Sequence, residues 1–368
     1  MSAERKVTMK ERLFELSLSN IISNAINIGN RLELFKKLAQ ISNESEPVGP
    51  RELAEASGCK EKYIKFWLSC LACGNILEVN SEGKFWIDEQ NVEDLTSDNF
   101  ELQSHGMLPV LLEPLDQLIE CFKNEGPAGL KYPESSGFHD FMHKMSTRLH
   151  EKHVVPDIVP AIDIDLAHKL NVERLRVLDV ACGGGFHTQL LADAFPYSHF
   201  TGVDSGEEPL RKASVMRKKC GDRYRNLNFV YCGSDKLDAS WDDTFDMVLH
   251  FETDSPTGQN LNVEEIHRVL KPGGLFAVVE VIGSSDVFTD KQTFGKRAAM
   301  MYGCALLHNV PPGASSTEDS LGYGGLWGQK RATELLKQCG FEEVRVLETP
   351  HFPINVMYVA KKKTEEAN

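Results

Sequence analysis

Three features are scarce in this sequence of 368 residues: long apolar runs, basic residues relative to acidic ones, and ordered cysteine spacings. No run approaches the roughly 20 apolar residues that a membrane-spanning helix requires, so no membrane segment is expected. The first residues, MSAERK, lead into no apolar core, so no secretory signal is expected either. The formal net charge of −14 repels phosphate backbones and disfavours nucleic acid as a partner.

The nine cysteines are an odd number and are scattered, which favours reduced thiols and predicts a cytoplasmic protein. Cys70 and Cys73 form a CxxC pair inside a predicted helix, with no second pair nearby, so core packing is favoured over a metal or redox role. Four histidines share one predicted helical region: His139, His143, His150 and His153. No acid or cysteine completes a recognisable spacing, so no metal site is predicted there, and substrate contact is favoured.

The length predicts about two domains, and changes of pattern place their boundaries. Residues 1–95 indicate a helical, winged-helix domain, and residues 96–165 a helical linker. Residues 166–362 indicate an α/β domain with an insertion at 284–328, and residues 363–368 form a charged tail. The predicted fold class is therefore α/β, with a Rossmann-like sheet behind a mainly α N-terminal domain.

The first domain carries the pattern of a winged helix. Apolar residues recur at threes and fours over residues 8–43, which predicts a helix with a break near Gly29. Two short helices over 51–58 and 60–73 follow, and then a hairpin closed by a Ser-Glu-Gly turn. DNA-binding modules carry a basic face, but residues 51–92 hold five basic and seven acidic residues, so dimerisation is favoured over DNA binding.

The second domain is organised around the stretch from Val177 to Phe186, VLDVACGGGF. Two apolar residues lead into an acid and then a glycine run, which predicts a buried strand, a tight turn and a helix N-terminus. Glycines let a ligand approach the backbone closely, and the N–H groups at a helix start attract polar or anionic atoms. A second strand, one helix further on, ends in Asp204, where an acid can accept both hydroxyls of a ribose.

The glycine pattern differs from that of a dinucleotide site. A Gly-x-Gly-x-x-Gly fingerprint counted from Gly183 requires glycine where Thr188 stands, and one counted from Gly185 requires glycine where His187 stands. Instead, Asp179 closes the strand just before the glycines. An acid there suits a ligand with a free amino group, one ribose and no pyrophosphate, and S-adenosylmethionine has those parts.

This half of the chain resembles the class I S-adenosylmethionine-dependent methyltransferases. The first motif of that family, acid-x-Gly-x-Gly-x-Gly, appears as residues 179–185, DVACGGG, with Ala181 where the family prefers glycine. Further family motifs follow in the right order, at Asp204 and in the segments 228–235, 245–250 and 269–275, the last of which matches the family's helix-to-strand turn before the fifth strand. The resemblance implies a Rossmann-like, seven-stranded methyltransferase sheet and transfer of a methyl group to an acceptor.

The front domain and the insertion narrow the resemblance to the winged-helix subgroup of small-molecule methyltransferase-like proteins. The subgroup's shared segments appear as Tyr302-Gly303 with His308, and as residues 322–328, GYGGLWG. Where such proteins often show a His-Asp pair, this chain has residues 251–255, FETDS, which leaves the catalytic base open. The resemblance implies a small-molecule acceptor and a homodimer formed through the N-terminal domain, with residues 96–165 covering the active site.

Residue chemistry and the resemblance together predict the contacts to S-adenosylmethionine. Asp179 would hold the methionine amino group, Asp204 the ribose hydroxyls, and Asp235, beside Ser234, the adenine amino group. The complete predicted set of cofactor contacts is Asp179, Ala181, Gly183, Gly185, Asp204, Ser205, Ser234, Asp235 and His250.

The acceptor side is predicted from the insertion and from the segment after the fourth strand. His308 is the candidate general base, with a structural histidine as its alternative, and Glu252 lies where acceptor and methyl group should meet. Tyr302, Tyr323 and Trp327 are predicted to line the acceptor pocket, and O- or S-methylation is favoured. Two other classes stay open: a cofactor-binding protein without turnover, and a winged-helix transcriptional regulator gated by S-adenosylmethionine.

Overall fold

The structure is a computed structural model that describes residues 7–130, 147, 149–233, 236–251, 262–284, 286–311, 328–352 and 355–364. The chain divides into two compact units, one ending at Glu113 and the other beginning at Pro114. Each unit has its own buried apolar core. Among the described helices, none has the length and apolar character needed to cross a bilayer.

The first unit contains the predicted helices and hairpin. Its elements are α1 (Met9–Arg31), α2 (Leu34–Ile41), α3 (Pro50–Ser57), α4 (Glu61–Cys73), β1 (Glu78–Val79), β2 (Phe85–Trp86), α5 (Val92–Thr96), α6 (Phe100–Ser104) and α7 (Met107–Leu111). β1 and β2 pair antiparallel and form the wing. Core packing accounts for only one cysteine of the CxxC pair, because Cys70 is half-buried while Cys73 is exposed at the end of α4.

The helix break predicted near Gly29 falls a few residues later. Gly29 lies inside α1, and the chain turns at Leu32 and Glu33, where Glu33 has a φ angle of 54°. A Cβ atom on Gly29 would come within 2.5 Å of the ring of Trp67. Glycine at this position therefore lets α1 pack closely on α4, and it does not interrupt the helix.

The second unit is a seven-stranded sheet. Its strands are β3 (Arg176–Val180), β4 (His199–Asp204), β5 (Leu227–Tyr231), β6 (Phe245–Phe251), β7 (Leu270–Val281), β8 (Phe341–Glu348) and β9 (Asn355–Lys362). The strand order is β5-β4-β3-β6-β7-β9-β8. The first five strands in this order are parallel, and β9 is antiparallel to both of its neighbours, β7 and β8. This arrangement confirms the predicted sheet.

Helices cover both faces of this sheet. The described helices of the second unit are α8 (Leu115–Cys121), α9 (Val159–Ile162), α10 (Leu166–Val172), α11 (Phe186–Ala194), α12 (Glu207–Lys219), α13 (Val263–Val269), α14 (Val287–Phe294), α15 (Lys296–Cys304) and α16 (Gln329–Gln338). Val177 and Leu178 are neighbours in β3 but belong to separate buried clusters, because successive strand residues point to opposite faces. Because both faces of the sheet are buried, the sequences of these strands are continuous apolar runs.

The start of β7 differs from the prediction. The sequence predicts a turn over 269–275, but β7 begins at Leu270 and runs through the Pro-Gly-Gly segment, with a register shift against β6 between Phe245 and Met247. Gly273 takes a φ angle of 78° within this stretch. Because β6 advances only from Phe245 to Met247 while β7 advances from Leu270 to Leu275, residues 271–274 loop out of the pairing, and the chain turns there within the bounds of β7. The strand order reverses at β3, so the carboxyl ends of β3, β4 and β6 meet at a topological switch point, where open α/β sheets bind ligands.

Candidate active site

The glycine loop joins β3 to α11 at this switch point. Three of its residues have left-handed backbones, with φ angles of 58° at Ala181, 52° at Gly183 and 75° at Gly185. Glycine adopts this conformation freely, but a side chain bearing a Cβ pays about 1–2 kcal/mol for it. Ala181 therefore holds a strained position in which the family motif places glycine.

The three consecutive glycines of the loop serve two different purposes. No described atom lies within 4 Å of a Cβ built on Gly183 or on Gly184, so the backbone there faces open space. A Cβ on Gly185 would lie 2.3 Å from the ring of Phe229. Gly185 is thus required by packing against β5, whereas Gly183 and Gly184 present a bare backbone that a ligand can approach.

Asp204 ties the end of β4 to the glycine loop. Its Oδ2 accepts a hydrogen bond of 2.7 Å from the backbone N–H of Gly183, and its Oδ1 accepts one of 2.6 Å from the N–H of Gly206. The carboxylate is only partly buried. Ser205, which is also half-buried, lies between Asp204 and Gly206. Asp204 thus places a partly exposed carboxylate beside an open glycine backbone, and its role as the ribose ligand stays a prediction.

Asp179 lies beneath the loop with only 2% of its surface exposed. Its Oδ2 accepts a hydrogen bond of 2.5 Å from the hydroxyl of Thr188, in the first turns of α11. Burial raises the pKa of Asp179 to about 6, although the Thr188 bond and the nearby His250 favour the ionised form. The carboxyl therefore changes its charge near neutral pH, and a cation above the loop would hold it ionised.

His250, at the end of β6, completes a buried polar group around Asp179. Its Nδ1 lies 3.1 Å from the carbonyl oxygen of Val180, and its Nε2 lies 3.6 Å from Oε1 of Glu280 in β7. Burial disfavours the charged imidazole, but the hydrogen bond and charge of Glu280 outweigh it and raise the pKa of His250. Each ring nitrogen of His250 therefore faces an acceptor, the carbonyl of Val180 directly before the glycine loop and the carboxylate of Glu280.

A line of histidines, here called the histidine row, runs away from the glycine loop. His187 lies in the first turn of α11, where its Nε2 is 2.8 Å from Nδ1 of His150 and its ring stacks on Phe251 at 4.2 Å. The ring of His150 lies 5.0 Å from that of Phe352. Burial lowers the pKa of His150 to about 4, so this imidazole is neutral at pH 7 and one nitrogen of the pair donates to the other. The row continues to His351 and His153, whose rings stack at 3.8 Å.

The candidate residues of the acceptor side are only partly described. Glu252, Tyr323 and Trp327 lie outside the described residues, as do Ser234 and Asp235 on the cofactor side, so their roles remain predictions. The remaining two acceptor-side candidates, His308 and Tyr302, lie in described parts of the insertion.

His308 is buried in a π-helical turn, Ala305–Asn309, with 4% of its surface exposed. The hydroxyl of Tyr302 donates a hydrogen bond of 2.7 Å to Asp290, and burial raises the pKa of Tyr302 to about 12. Asp290 is buried and also accepts the N–H of Ser284 at 2.8 Å. The Tyr302 hydroxyl thus fixes the insertion, and contact of its ring with an acceptor stays a prediction.

Sequence reasoning did not single out several of these groups. Thr188 had a local signal, since it stands one helical turn after the glycines on the face that returns to β3. Glu280 is a single acid in an apolar strand, and Asp290 is an acid within a helical segment. An acid that is buried in such a segment needs a polar partner, and this was the signal that could have identified both residues. The His150–His187 contact joins residues far apart in the chain, and no local pattern announces it.

Family models match both units of the chain. Residues 171–340 match the model described as a methyltransferase domain, and residues 20–96 match the Rv2258c-like winged HTH domain. The second unit therefore contains a methyltransferase domain, and the predicted winged helix in front of it is confirmed.

Individual proteins resemble parts or all of the chain. Methyltransferase phqN of Penicillium fellutanum is 35% identical over 128 residues, which are 34% of this chain and 37% of that protein. The chain thus spans less than half the length of this curated relative.

Two solved structures share the fold over nearly the whole chain. An O-methyltransferase family protein from Burkholderia thailandensis has a TM-score of 0.61 at 15% identity, covering 98% of this chain and 100% of its own. Human N-acetylserotonin methyltransferase, solved in complex with S-adenosylmethionine, has a TM-score of 0.60 at 15% identity, covering 98% and 100%. At this identity the likeness shows the fold alone.

Proposed function

We propose that this chain, which carries a methyltransferase domain behind a winged-helix domain, transfers the methyl group of S-adenosylmethionine to a small-molecule acceptor. S-adenosylmethionine is the cofactor of this domain class, as the sequence predicts. The observation that carries the proposal is the partly exposed carboxylate of Asp204 beside the open backbone of Gly183, with buried Asp179 beneath them. Asp204 would accept the ribose hydroxyls, and Asp179 would favour the methionine ammonium group.

The acceptor is proposed to be a small molecule with a hydroxyl or thiol group. The net charge of −14 disfavours nucleic acid, and the neighbours in fold include an O-methyltransferase family protein and a methyltransferase of N-acetylserotonin. In the reaction, the acceptor oxygen or sulfur attacks the methyl carbon, the bond from that carbon to the sulfonium sulfur breaks, and S-adenosylhomocysteine leaves. Most of the acceleration comes from positioning, since the leaving group is already good.

A hydroxyl acceptor must lose its proton, and the site offers imidazoles for that step. His308 and Glu252 are the candidates from sequence, and the position of His187 adds a third. His187 follows the glycine loop directly and stacks on Phe251, the last residue of β6, while neutral His150 is its hydrogen-bond partner. An imidazole paired in this way can accept a proton from an acceptor that lies against Phe251.

Turnover distinguishes the proposal from a cofactor-binding protein. The purified chain is incubated with S-adenosylmethionine and a panel of phenols, aliphatic alcohols and thiols, and formation of S-adenosylhomocysteine is measured by mass spectrometry. We expect turnover with at least one hydroxyl or thiol compound and none with the Asp204→Ala variant. Tight cofactor binding with no turnover across the panel would favour the silent binding protein.

The N-terminal unit is proposed to form a homodimer. α1 buries only Ile26 and Gly29, while five of its apolar residues each expose more than half of their surface: Met9, Leu13, Phe14, Ile21 and Ile28. Contiguous exposed apolar surface marks an interaction site. Tyr63 and Phe66 of α4 are also exposed, and residues 51–92 hold more acidic than basic residues, whereas DNA-binding modules carry a basic face.

Light scattering after size-exclusion chromatography tests the dimer. The parent chain is expected to elute as a dimer and the Phe14→Glu variant as a monomer, because a buried unpaired charge is costly at an interface. Ile164→Glu, at an exposed residue of the second unit, is the matched control and should remain dimeric. A monomeric parent, or a dimer that Phe14→Glu leaves intact, would contradict this assignment. Salt-sensitive binding of DNA fragments in a gel shift would favour the regulator instead.

A further inference from the structure

Two histidines and one carboxylate converge at the outer end of the histidine row. Nδ1 of His153 lies 2.7 Å from Oδ2 of Asp157, and Nε2 of His351 lies 3.5 Å from the same oxygen. One ligand atom from each of these three residues lies within 4.8 Å of the others. Among the described residues, this is the group of histidine, cysteine and acidic side chains with the spacing of a metal site.

The geometry points to a divalent transition-metal site, best suited to Zn²⁺, formed by His153, Asp157 and His351. Zn²⁺ binds histidine nitrogen and carboxylate oxygen at about 2.0–2.2 Å, which places tetrahedral ligand atoms about 3.3 Å apart. The observed separations of 2.7 Å and 3.5 Å bracket that spacing. Small rotations of the side chains would therefore bring all three onto one ion.

The local backbone supports a built site. Asp157 lies in a π-helical turn, Val154–Ile158, that begins directly after His153, and such turns recur at functional sites. His351 holds a left-handed backbone with a φ angle of 66°, which costs about 1–3 kcal/mol and persists where the surroundings enforce it. The two irregular backbone segments thus contain Asp157 and His351, and His153 directly precedes the first of them.

A two-histidine, one-carboxylate set leaves coordination positions open, as catalytic zinc sites do. The open position would take water or an oxygen or sulfur donor of a small molecule. The site adjoins the His150–His187 pair through Phe352, whose ring contacts His150. This metal site differs from the expectation of no metal drawn from the sequence, and it does not depend on the proposed methyl transfer.

Calorimetric titration with ZnCl₂ tests the site on the full chain after treatment with a chelator. We expect one equivalent of Zn²⁺ to bind, and the His351→Ala variant to bind at least about a hundredfold more weakly. Loss of even a partner of a metal ligand typically costs 10–100-fold in affinity, so loss of a ligand should cost no less. His351 is exposed, with 51% of its side chain accessible, so this variant should fold normally.

His168→Ala is the matched control, because His168 is exposed on α10 of the same unit, and it should bind Zn²⁺ like the parent. Titration with Co²⁺ separates this site from the nine cysteines, since nitrogen and oxygen ligands give no thiolate charge-transfer band. A bound Co²⁺ without that band, lost in His351→Ala, supports the site. Equal binding by parent and His351→Ala, a thiolate band, or no binding by the parent would overturn it, whatever the methyltransferase assay shows.

Discussion

The glycine-loop site and the histidine row lie at one edge of the same sheet, yet they are built in opposite ways. The glycine-loop site gathers its groups from the ends of neighbouring strands, and Asp179 and Asp204 flank a backbone that is open to a ligand. The histidine row gathers imidazoles from distant segments, and these contact one another and aromatic rings. The first arrangement suits a cationic amino acid and a sugar, while the second suits proton transfer and metal binding.

The largest expected effect separates binding from turnover. Asp204→Ala should weaken S-adenosylmethionine binding at least about a hundredfold, because two hydrogen bonds to a charged group are lost, each worth about 1.5–3 kcal/mol. His187→Ala should leave the affinity within about threefold but lower kcat about 10²–10⁴-fold for a hydroxyl acceptor. Calorimetry gives the first quantity, and S-adenosylhomocysteine formation gives the second.

Asp222→Ala serves as the control for this pair, because Asp222 is an exposed acid that pairs with Arg225 at the surface. It should match the parent in both affinity and turnover. If His187→Ala instead lost cofactor binding while Asp204→Ala retained it, the assignment of cofactor binding to the glycine-loop site and of proton transfer to the histidine row would be wrong.

A second comparison lies inside the loop, between two adjacent glycines. Gly185→Ala should lower the free energy of unfolding by about 2–5 kcal/mol, because the new methyl group meets Phe229 and the backbone is left-handed. Gly184→Ala has neither problem and should change stability by less than about 0.5 kcal/mol, while weakening cofactor binding. Denaturant unfolding and calorimetric titration of both variants check this. Equal stability losses would mean that the loop packs differently.

The buried Asp179 predicts a pH dependence of cofactor binding. Burial raises the pKa of Asp179 to about 6, and the cationic cofactor favours its ionised form, so affinity should increase as the pH rises through about 6 and then level off. Asp179→Asn should remove this increase. Titrations at several pH values from 5 to 8 test it, and an Asn variant that keeps the full dependence would assign it to another group.

The same carboxyl gives the opposite trend in stability without cofactor. The protonated form is favoured in the folded state, because the folded pKa of about 6 exceeds the ordinary value of 3.8. Between these values the native state binds more protons than the unfolded state, so this group's contribution to stability falls as the pH rises. Above about pH 6 the contribution should stay constant.

The smallest expected effect concerns the strained residue of the loop. Ala181→Gly should raise the free energy of unfolding by about 0.5–1 kcal/mol, because relief of the left-handed backbone outweighs the extra entropy of glycine in the unfolded chain. Ala192→Gly, inside α11, should instead lower it by about 1 kcal/mol. Matching signs for the two variants in thermal unfolding would refute the strain at Ala181.

The glycine-loop site was predictable from sequence because its signals are local. Asp179 and the glycines fall within one strand–turn–helix segment, and Asp204 follows after one further helix and strand. Apolar runs of strand length between helical segments likewise indicated the parallel sheet. Parallel strands bring such residues to one edge by topology alone, so no long-range contact had to be foreseen.

The histidine row was not predictable from sequence, because its contacts join segments that are far apart in the chain. His150 and His187 meet only because the segment before α9 packs beside α11, and His351 reaches His153 from the turn between β8 and β9. The misplaced break at Gly29 has a similar cause, since the need for glycine comes from Trp67 on another helix. Contacts between distant segments leave no periodic trace in the sequence.

A crystal structure of the chain with S-adenosylhomocysteine tests the central claim most directly. We expect ribose hydroxyls within hydrogen-bond distance of the Asp204 carboxylate, the backbone of Gly183 and Gly184 against the ligand, and the amino group on the side of Asp179. A nucleoside bound elsewhere on the chain, or Asp179 and Asp204 both turned away from it, would show that the glycine loop is not the cofactor site.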